Sequence, residues 1–291
     1  RLLTRASAAG RVMCLLVDFE QVFGIEEVDR YWEIVRVLPK AWTHGGAFTA
    51  TSRITAEMLQ WQAGLRVPCV PFLSFHVKDR YRPTRKKDVL FFRSGLPGAS
   101  PFLRVLQLIE TERRAAGEEV RKVVPMTKAM SYSEMTSFLA ISMLPHIPNA
   151  LRLSDVYAMG IPLFIPDEPF IHKFVWPADP LPLLSKARMP NRTAHELEHK
   201  YSPLDFQTGT RRFYTHKEDR HYWLQYTDWW LRPHLLHFSS ARDLLDKITE
   251  FSEEKGQTIS LAMQTHQAQM KISVLEYWRV ALAAAVAERS T

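Results

Sequence analysis

The sequence predicts an α/β protein in which a parallel β-sheet is covered by helices on both faces. Two observations lead to this class. Between residues 88 and 165, short runs that are apolar throughout alternate with segments whose apolar residues recur at helical spacing, and strands of a sheet buried on both faces have this composition. The chain also has 291 residues, of which 46% are hydrophobic and 24% are charged, and this is enough to bury a sizeable core.

The N-terminal part begins with elements of the same kind. Residues 11–19 form an apolar run of strand length, and residues 26–37 have apolar residues at helical spacing. A β-prone segment then precedes a helix that Thr51 or Ser52 caps and that Gly64 ends, because a hydroxyl accepts hydrogen bonds from the free N–H groups of a first turn.

A basic run over residues 78–87 is predicted to be a linker, because Pro83 interrupts it and it has no evident apolar side to bury. The chain is therefore divided into a short N-terminal α/β part (1–77), a second α/β domain (78–257) and a C-terminal helix (258–291).

The second domain accounts for most of the predicted regular structure. Its predicted strands are residues 88–92, 121–126, 140–144 and 161–165, and its predicted helices are residues 101–116, 133–139, 150–159, 168–175 and 241–254. The Pro-rich and then polar residues 176–220 indicate an irregular insertion, and the aromatic cluster at 222–230 is either core or a stacking platform for sugar rings.

The segment over residues 149–166 connects sequence to chemistry most directly. It is typical of a helix that ends at Gly160 and is followed by a buried strand, with the carboxylate of Asp155 five residues before the glycine and Pro162 after it. A carboxylate in a helix that faces the ligand crevice of a parallel sheet is able to accept hydrogen bonds from both hydroxyls of a ribose.

This segment resembles the C-terminal domain of the GT-B glycosyltransferases, which commonly carries a Glu five residues before a Gly-x-Pro. Ala50–Glu57 and Phe91–Gly95 resemble other segments of the class, and residues 222–244 resemble the tails of exostosin-like members. The resemblance implies two Rossmann-like domains, of which the N-terminal one is short or truncated here, and transfer of a sugar from a UDP- or GDP-linked donor to a glycan or protein acceptor.

The resemblance also implies roles for particular residues. Asp155 would hold the ribose, while Arg93, Ser94 and Gly95 would bind the diphosphate, and His146 would act near the donor sugar as a catalytic group. The donor site is further expected to include Lys128, Asn149 and Arg152. No metal or other cofactor is expected, because the class usually replaces a metal with basic side chains and a helix N-terminus.

Two alternative functions remain open. Ile147 stands where the family pattern has a second acid and the first domain is short, so the chain is also interpreted as a catalytically inactive relative that serves as an interaction subunit of a larger assembly. His195-Glu-Leu-Glu-His199 matches the zinc-protease motif H-E-x-x-H, but Glu198 puts a charge where a buried zinc-binding helix would be apolar.

The bulk composition limits the remaining classes. The formal charge of +7 suits an anionic ligand, but the basic run lacks interleaved aromatics, so nucleic acid is not expected as a partner. Cys14 and Cys69 do not make a disulfide framework, and no apolar run is long enough to predict a membrane span. The first residue is Arg1, so a secretory signal or anchor is expected upstream if the protein acts in the Golgi lumen.

Overall fold

The computed structural model describes residues 13–16, 47–63, 65–92, 99–145, 151–175, 221 and 224–287. The chain divides into two compact units. The first unit comprises Arg1–Phe72, Leu181–Thr227 and Ile272–Thr291, and the second comprises Leu73–Pro180 and Asp228–Lys271.

The first unit contains a small parallel sheet and a helix. Strand β1 (Met13–Leu16) pairs with β2 (Ala47–Ala50), and helix α1 (Arg53–Ala63) follows β2. The Ser52 hydroxyl accepts a hydrogen bond of 3.3 Å from the Thr55 backbone N–H, as the sequence predicts for an N-cap. The helix predicted over residues 26–37 lies outside the described residues. Gly64, which is predicted to end α1, also lies outside them.

The second unit is built on a five-stranded parallel sheet. Its strands are β3 (Arg85–Phe92), β4 (Lys122–Pro125), β5 (Phe138–Met143), β6 (Leu163–Pro166) and β7 (Leu236–Phe238). They are ordered β4-β3-β5-β6-β7, and every neighbouring pair is parallel. This confirms the predicted α/β class. The strand order reverses between β3 and β5, whose last residues Phe92 and Met143 are register partners, and ligands of open parallel sheets bind beyond the carboxyl ends of the strands at such a point.

Helices connect the strands of this sheet, and two further helices follow its last strand. They are α2 (Ala99–Ala115), α3 (Tyr132–Thr136), α4 (Leu151–Met159), α5 (Glu168–Val175), α6 (Asp228–Leu231), α7 (Ala241–Glu250) and α8 (Glu253–Ala287). The chain moves in one direction along the sheet from β3 to β4 and in the other from β5 to β6. Right-handed crossovers therefore place α2 and α4 on opposite faces. None of the described helices is long and apolar enough to cross a membrane.

The core on the α2 side is aromatic. Phe91 of β3, Phe102 of α2 and Phe238 of β7 stack at centroid distances of 5.9 Å, and Leu245 of α7 is buried in the same cluster. Such offset aromatic contacts add to the free energy gained from burial. The apolar composition of these strands thus follows from their position between two layers of helix.

The basic run at 78–87 differs from the linker that its composition predicts. The Tyr81 side chain is only 7% exposed and donates a hydrogen bond of 2.7 Å to the Leu139 carbonyl, and residues from Arg85 onward belong to β3. The prediction that this run has no buried side is wrong, because one aromatic residue is enough to dock the segment onto the sheet while its lysines and arginines stay in water.

Several elements also differ from the sequence-based expectation, and three of the differences have a clear structural reason. Phe138 and Leu139, predicted at the end of a helix, begin β5, because this sheet position is fully buried. Strand β7 has only three residues and was not predicted. Helix α7 ends at Glu250, because Phe251 adopts an extended conformation with ψ of 113° and turns the chain into α8.

Candidate functional site

Helix α4 is the element that carries the predicted donor-binding residues. It is buried on all sides from Leu153 to Met159, although three of these side chains carry polar groups: Ser154, Asp155 and Tyr157. A helix without a solvent face has to satisfy such groups with partners from neighbouring elements, since an unsatisfied buried polar group costs about 1–3 kcal/mol.

Gly160 ends α4 as the sequence predicts. Its φ of +72° is in the left-handed region, and its N–H donates to the Tyr157 carbonyl at 3.0 Å. A Cβ atom at this position would lie 2.8 Å from both the Ser260 Oγ and the Gln264 Nε2 of α8. The glycine therefore serves the turn and also the close approach of α8.

The Asp155 carboxylate is the centre of a polar cluster. Its Oδ1 accepts a hydrogen bond of 2.7 Å from the Ser74 hydroxyl and lies 3.4 Å from the His76 Nε2. Its Oδ2 accepts hydrogen bonds of 3.0 Å from the Tyr132 hydroxyl and 3.0 Å from the Arg152 guanidinium. Although Asp155 is buried, its charge is therefore offset by an arginine and by two hydroxyl donors.

The donors around Asp155 differ in their access to solvent. Ser74 is buried, whereas the side chains of His76 and Arg152 are 56% and 52% exposed. The Tyr132 hydroxyl joins them, because it also lies 3.2 Å from the His76 Nε2 and accepts a hydrogen bond of 3.1 Å from Arg152. Oδ1 thus has a buried donor in Ser74 beside the exposed His76, whereas Oδ2 is bound by the partly buried Tyr132 and the half-exposed Arg152.

Tyr132 is positioned by the start of α3. Ser131 forms a capping box with Glu134: the Ser131 hydroxyl accepts from the Glu134 N–H, and the Glu134 carboxylate accepts from the Ser131 N–H. Burial, and then the hydrogen bond to Asp155, raise the pKa of Tyr132 above its ordinary value. The phenol therefore stays protonated at neutral pH and remains a donor.

A second polar group lies on another side of α4. The buried Arg232 guanidinium donates to the Ser154 hydroxyl at 2.7 Å, lies 3.6 Å from the Asp228 carboxylate and sits 5.0 Å from the centroid of the Tyr157 ring. The Tyr157 hydroxyl donates to the Pro233 carbonyl at 3.2 Å. These contacts fix α4 between the sheet and the segment after α6.

The tyrosine and histidine of this second group have shifted pKa values. Burial raises the pKa of Tyr157 to about 12, against the opposing effect of Arg232. His266 of α8, whose Nδ1 lies 3.1 Å from the Tyr157 hydroxyl, has its pKa lowered by burial first and then by the charges of Arg232 and His234. Both side chains are therefore neutral at pH 7.

The structure brings together part of the predicted donor site. Asp155 and Arg152 lie in direct contact, one helical turn apart. Lys128 is exposed in the loop after β4 and takes no part in the contacts of Asp155. The predicted residues Arg93, Ser94, Gly95, His146 and Asn149 lie outside the described residues, as does the zinc-protease motif at 195–199.

Three residues of the cluster were missed by the sequence analysis. Ser74 and His76 lie in an irregular segment before β3, and single polar residues in such a segment give no periodic signal. Tyr132 had a usable signal, since the Ser131-x-x-Glu134 capping box predicts a helix start at this residue.

The aromatic cluster predicted at 222–230 is divided between core and surface. Trp229 of α6 is fully buried, whereas Trp230 is exposed and its ring centroid lies 5.4 Å from that of His237, with the two ring planes tilted by 58°. Tyr222 and Trp223 lie outside the described residues.

No protein-family model matches this chain, and no curated protein and no solved structure is significantly similar to it. The functional interpretation therefore rests on the residues and the geometry described above.

Proposed function

We propose that the protein binds a nucleotide sugar and transfers its sugar to an acceptor, as a divergent member of the GT-B class with a short N-terminal domain. The observation that supports this best is the unit formed by α4, Gly160 and β6 in a parallel sheet with a reversal of strand order, with the carboxylate of Asp155 in the middle of the helix. The GT-B class holds the donor ribose with a carboxylate in the corresponding helix, and ligands of open parallel sheets bind where the strand order reverses.

The Oδ2 atom of Asp155 is the proposed ribose-facing oxygen. Its two donors, Tyr132 and Arg152, come from side chains that are not fully buried, and an ion pair with a half-exposed arginine contributes about 0–1 kcal/mol. Ribose hydroxyls would replace these donors at little cost, while the buried Ser74 hydroxyl keeps the carboxylate in place through Oδ1.

The diphosphate is assigned to the residues that follow β3 and β5. In this proposal Arg93, with the backbone N–H groups of Ser94 and Gly95, offsets the charge that grows on the leaving diphosphate. His146 follows β5 and is proposed to act on the donor sugar or its phosphate. The displaced Arg152 would remain free to contact a donor phosphate.

Calorimetric titration of the full chain with UDP and GDP tests the donor site, with dUDP and dGDP as probes of the ribose contact. Replacing Asp155 by Asn removes a charged acceptor, and a hydrogen bond to a charged group contributes about 1.5–3 kcal/mol, so we expect the affinity to fall by a factor of about 10 or more. The advantage of the ribonucleotide over the deoxynucleotide should also disappear in Asp155→Asn.

Asp243→Asn is the matched control. Asp243 is likewise a helical carboxylate held by a serine and a basic residue, at 3.1 Å from the Ser239 Oγ and 2.9 Å from the Lys247 Nζ, and it should leave nucleotide affinity unchanged. The donor-site proposal is refuted if neither nucleotide binds, or if the preference for ribose survives in Asp155→Asn.

A second candidate function is an interaction subunit without catalysis. It is favoured by the number of donors around Asp155, because Ser74, Tyr132 and Arg152 already occupy both of its oxygens. In that case Asp155→Asn would lower thermal stability in the absence of ligand, and neither UDP nor GDP would raise the unfolding temperature of the native protein.

A further inference from the structure

Helix α8 carries a row of exposed residues along one side, which we call the outer stripe. The outer stripe consists of Leu261, Thr265, Ala268, Ile272, Leu275, Arg279 and Leu282. Its apolar members are unusually open to solvent: the residue of Ile272 is 70% exposed, and Leu261, Leu275 and Leu282 are all more than half exposed. Solvent-facing helices normally carry polar residues at such positions.

The outer stripe is not the side through which α8 packs. The buried residues of the helix, Gly256, Ser260, Met263 and Val274, recur at helical spacing on the opposite side. Helix α8 therefore has apolar side chains on two sides, which are Met263 and Val274 on the packed side and the outer stripe on the other, and among the described residues its own chain covers only the packed side.

The spacing of the outer stripe is that of a coiled coil. Its residues alternate at intervals of four and three, so that Thr265 and Ile272 take the a positions of a heptad while Leu261, Leu275 and Leu282 take d positions. An apolar β-branched residue at a, as at Ile272, combined with leucine at d favours a parallel two-stranded coiled coil. Apolar residues that are exposed for no particular reason would be scattered over the helix and would not follow this heptad pattern.

The flanking charges agree with a parallel pair. In this register Lys271 is a g residue and Glu276 is the e residue five positions later, which is the pair that meets between two parallel helices. Within its own chain Glu276 accepts two hydrogen bonds from Arg279, at 2.6 and 2.8 Å, and the Lys271 ammonium lies 5.5 Å from the centroid of the Phe75 ring. All of these side chains except the ring belong to exposed positions of α8, and pairing with a second helix would exchange these contacts for the one between Lys271 and Glu276. Two of the three a residues, Thr265 and Arg279, are polar, and polar residues at a positions specify the register of a coiled coil at a cost in stability.

We propose that α8 pairs with α8 of a second copy of this chain, as a parallel two-stranded coiled coil from Leu261 to Leu282. At 1.5 Å per residue this seam is about 33 Å long, or three heptads. A second copy explains both the β-branched and leucine positions and the Lys271 to Glu276 complementarity, because identical helices in parallel register bring a onto a, d onto d and g onto e.

Sedimentation equilibrium of the full chain at several micromolar concentrations tests the proposal. The native chain should be a dimer, and Leu275→Lys should weaken the dimer by a factor of about 10 or more, because it puts two charges at one d layer. Val280→Lys is the matched control: Val280 lies on the same helix, is 53% exposed and sits at a b position outside the seam. It should leave the dimer intact.

A double-mutant cycle with reversed charges tests the parallel orientation of the two helices, independently of the apolar residues of the outer stripe. Lys271→Glu and Glu276→Lys should each weaken the dimer, and the double variant should restore it, because the exchanged charges meet again only in a parallel pair. Circular dichroism of each variant in its monomeric state should match that of the native chain, since the altered residues are exposed.

Three results would overturn the proposal. The first is a monomeric native chain at all concentrations, and the second is dissociation by Val280→Lys to the same extent as by Leu275→Lys. The third is a monomer whose unfolding temperature drops on Leu275→Lys, since that would show that another segment of the same chain covers the outer stripe.

Discussion

Replacing Gly160 by Ala is expected to destabilise the second unit by about 2–3 kcal/mol. An L-residue in the left-handed region costs about 1–2 kcal/mol, and Gly160 has a φ of +72°. The new Cβ would also lie 2.8 Å from the Ser260 Oγ and the Gln264 Nε2, which are themselves hydrogen-bonded at 3.0 Å. Displacing Gln264 loses that bond, at about 0.5–1.5 kcal/mol.

Gly117→Ala isolates the conformational part of this cost. Gly117 has a φ of +83°, but a Cβ there meets nothing within 4 Å. Both variants lose the same conformational freedom in the unfolded chain, so the difference between them measures the contact between Gly160 and α8. We expect this difference to be about 1 kcal/mol.

Urea unfolding followed by circular dichroism and tryptophan fluorescence gives the comparison, provided that the denaturant slope is unchanged. The double variant Gly160→Ala, Gln264→Ala should recover part of the loss, because it removes the side chain that the methyl group displaces. Equal destabilisation by Gly160→Ala and Gly117→Ala would show that α8 does not approach Gly160 closely, and the reasoning would fail.

Two further predictions concern pH and helix capping. Burial lowers the pKa of His266 from 6.5, so as the pH falls the unfolded state binds a proton at this residue before the folded state does. The contribution of neutral His266 to the free energy of unfolding should therefore be fully present above pH 6.5 and decrease as the pH falls below it. Urea unfolding at several pH values should show a weaker pH dependence for His266→Gln, and an unchanged dependence would contradict the prediction. Ser240 caps α7, because its hydroxyl accepts a hydrogen bond of 3.1 Å from the Asp243 N–H. Ser240→Ala should therefore lower the free energy of unfolding by about 1 kcal/mol, as measured by urea unfolding. Ser239→Ala, which changes the residue before the cap, should lower it by less.

Much of the second unit could be predicted from sequence because its elements are locally consistent. The strands at 88–92, 140–144 and 161–165 are apolar throughout, and each lies within about three residues of its observed place. Gly160 was recognised from its position after a helix, since few other residues adopt a positive φ. These features depend on short stretches of chain and elementary sterics.

The candidate site was predictable only in its centre. Asp155 stands in a recognisable register with Gly160, but its partners Ser74 and Tyr132 are 81 and 23 residues away along the chain. Strand β7 escaped detection because three residues carry no measurable periodicity, and its place in the sheet depends on pairing with β6.

The sequence by itself determined the α/β class, most helices and strands, and the helix with Asp155 and its terminal glycine, because burial and backbone conformation impose these on local composition. Only the tertiary structure decided the strand order, with its reversal between β3 and β5, and the set of donors around Asp155. Both depend on contacts between residues that are distant in sequence, and such contacts leave no pattern in any one segment. The same holds for α8, because its packing alone shows that Met263 is buried whereas Leu261, Ile272 and Leu275 are exposed.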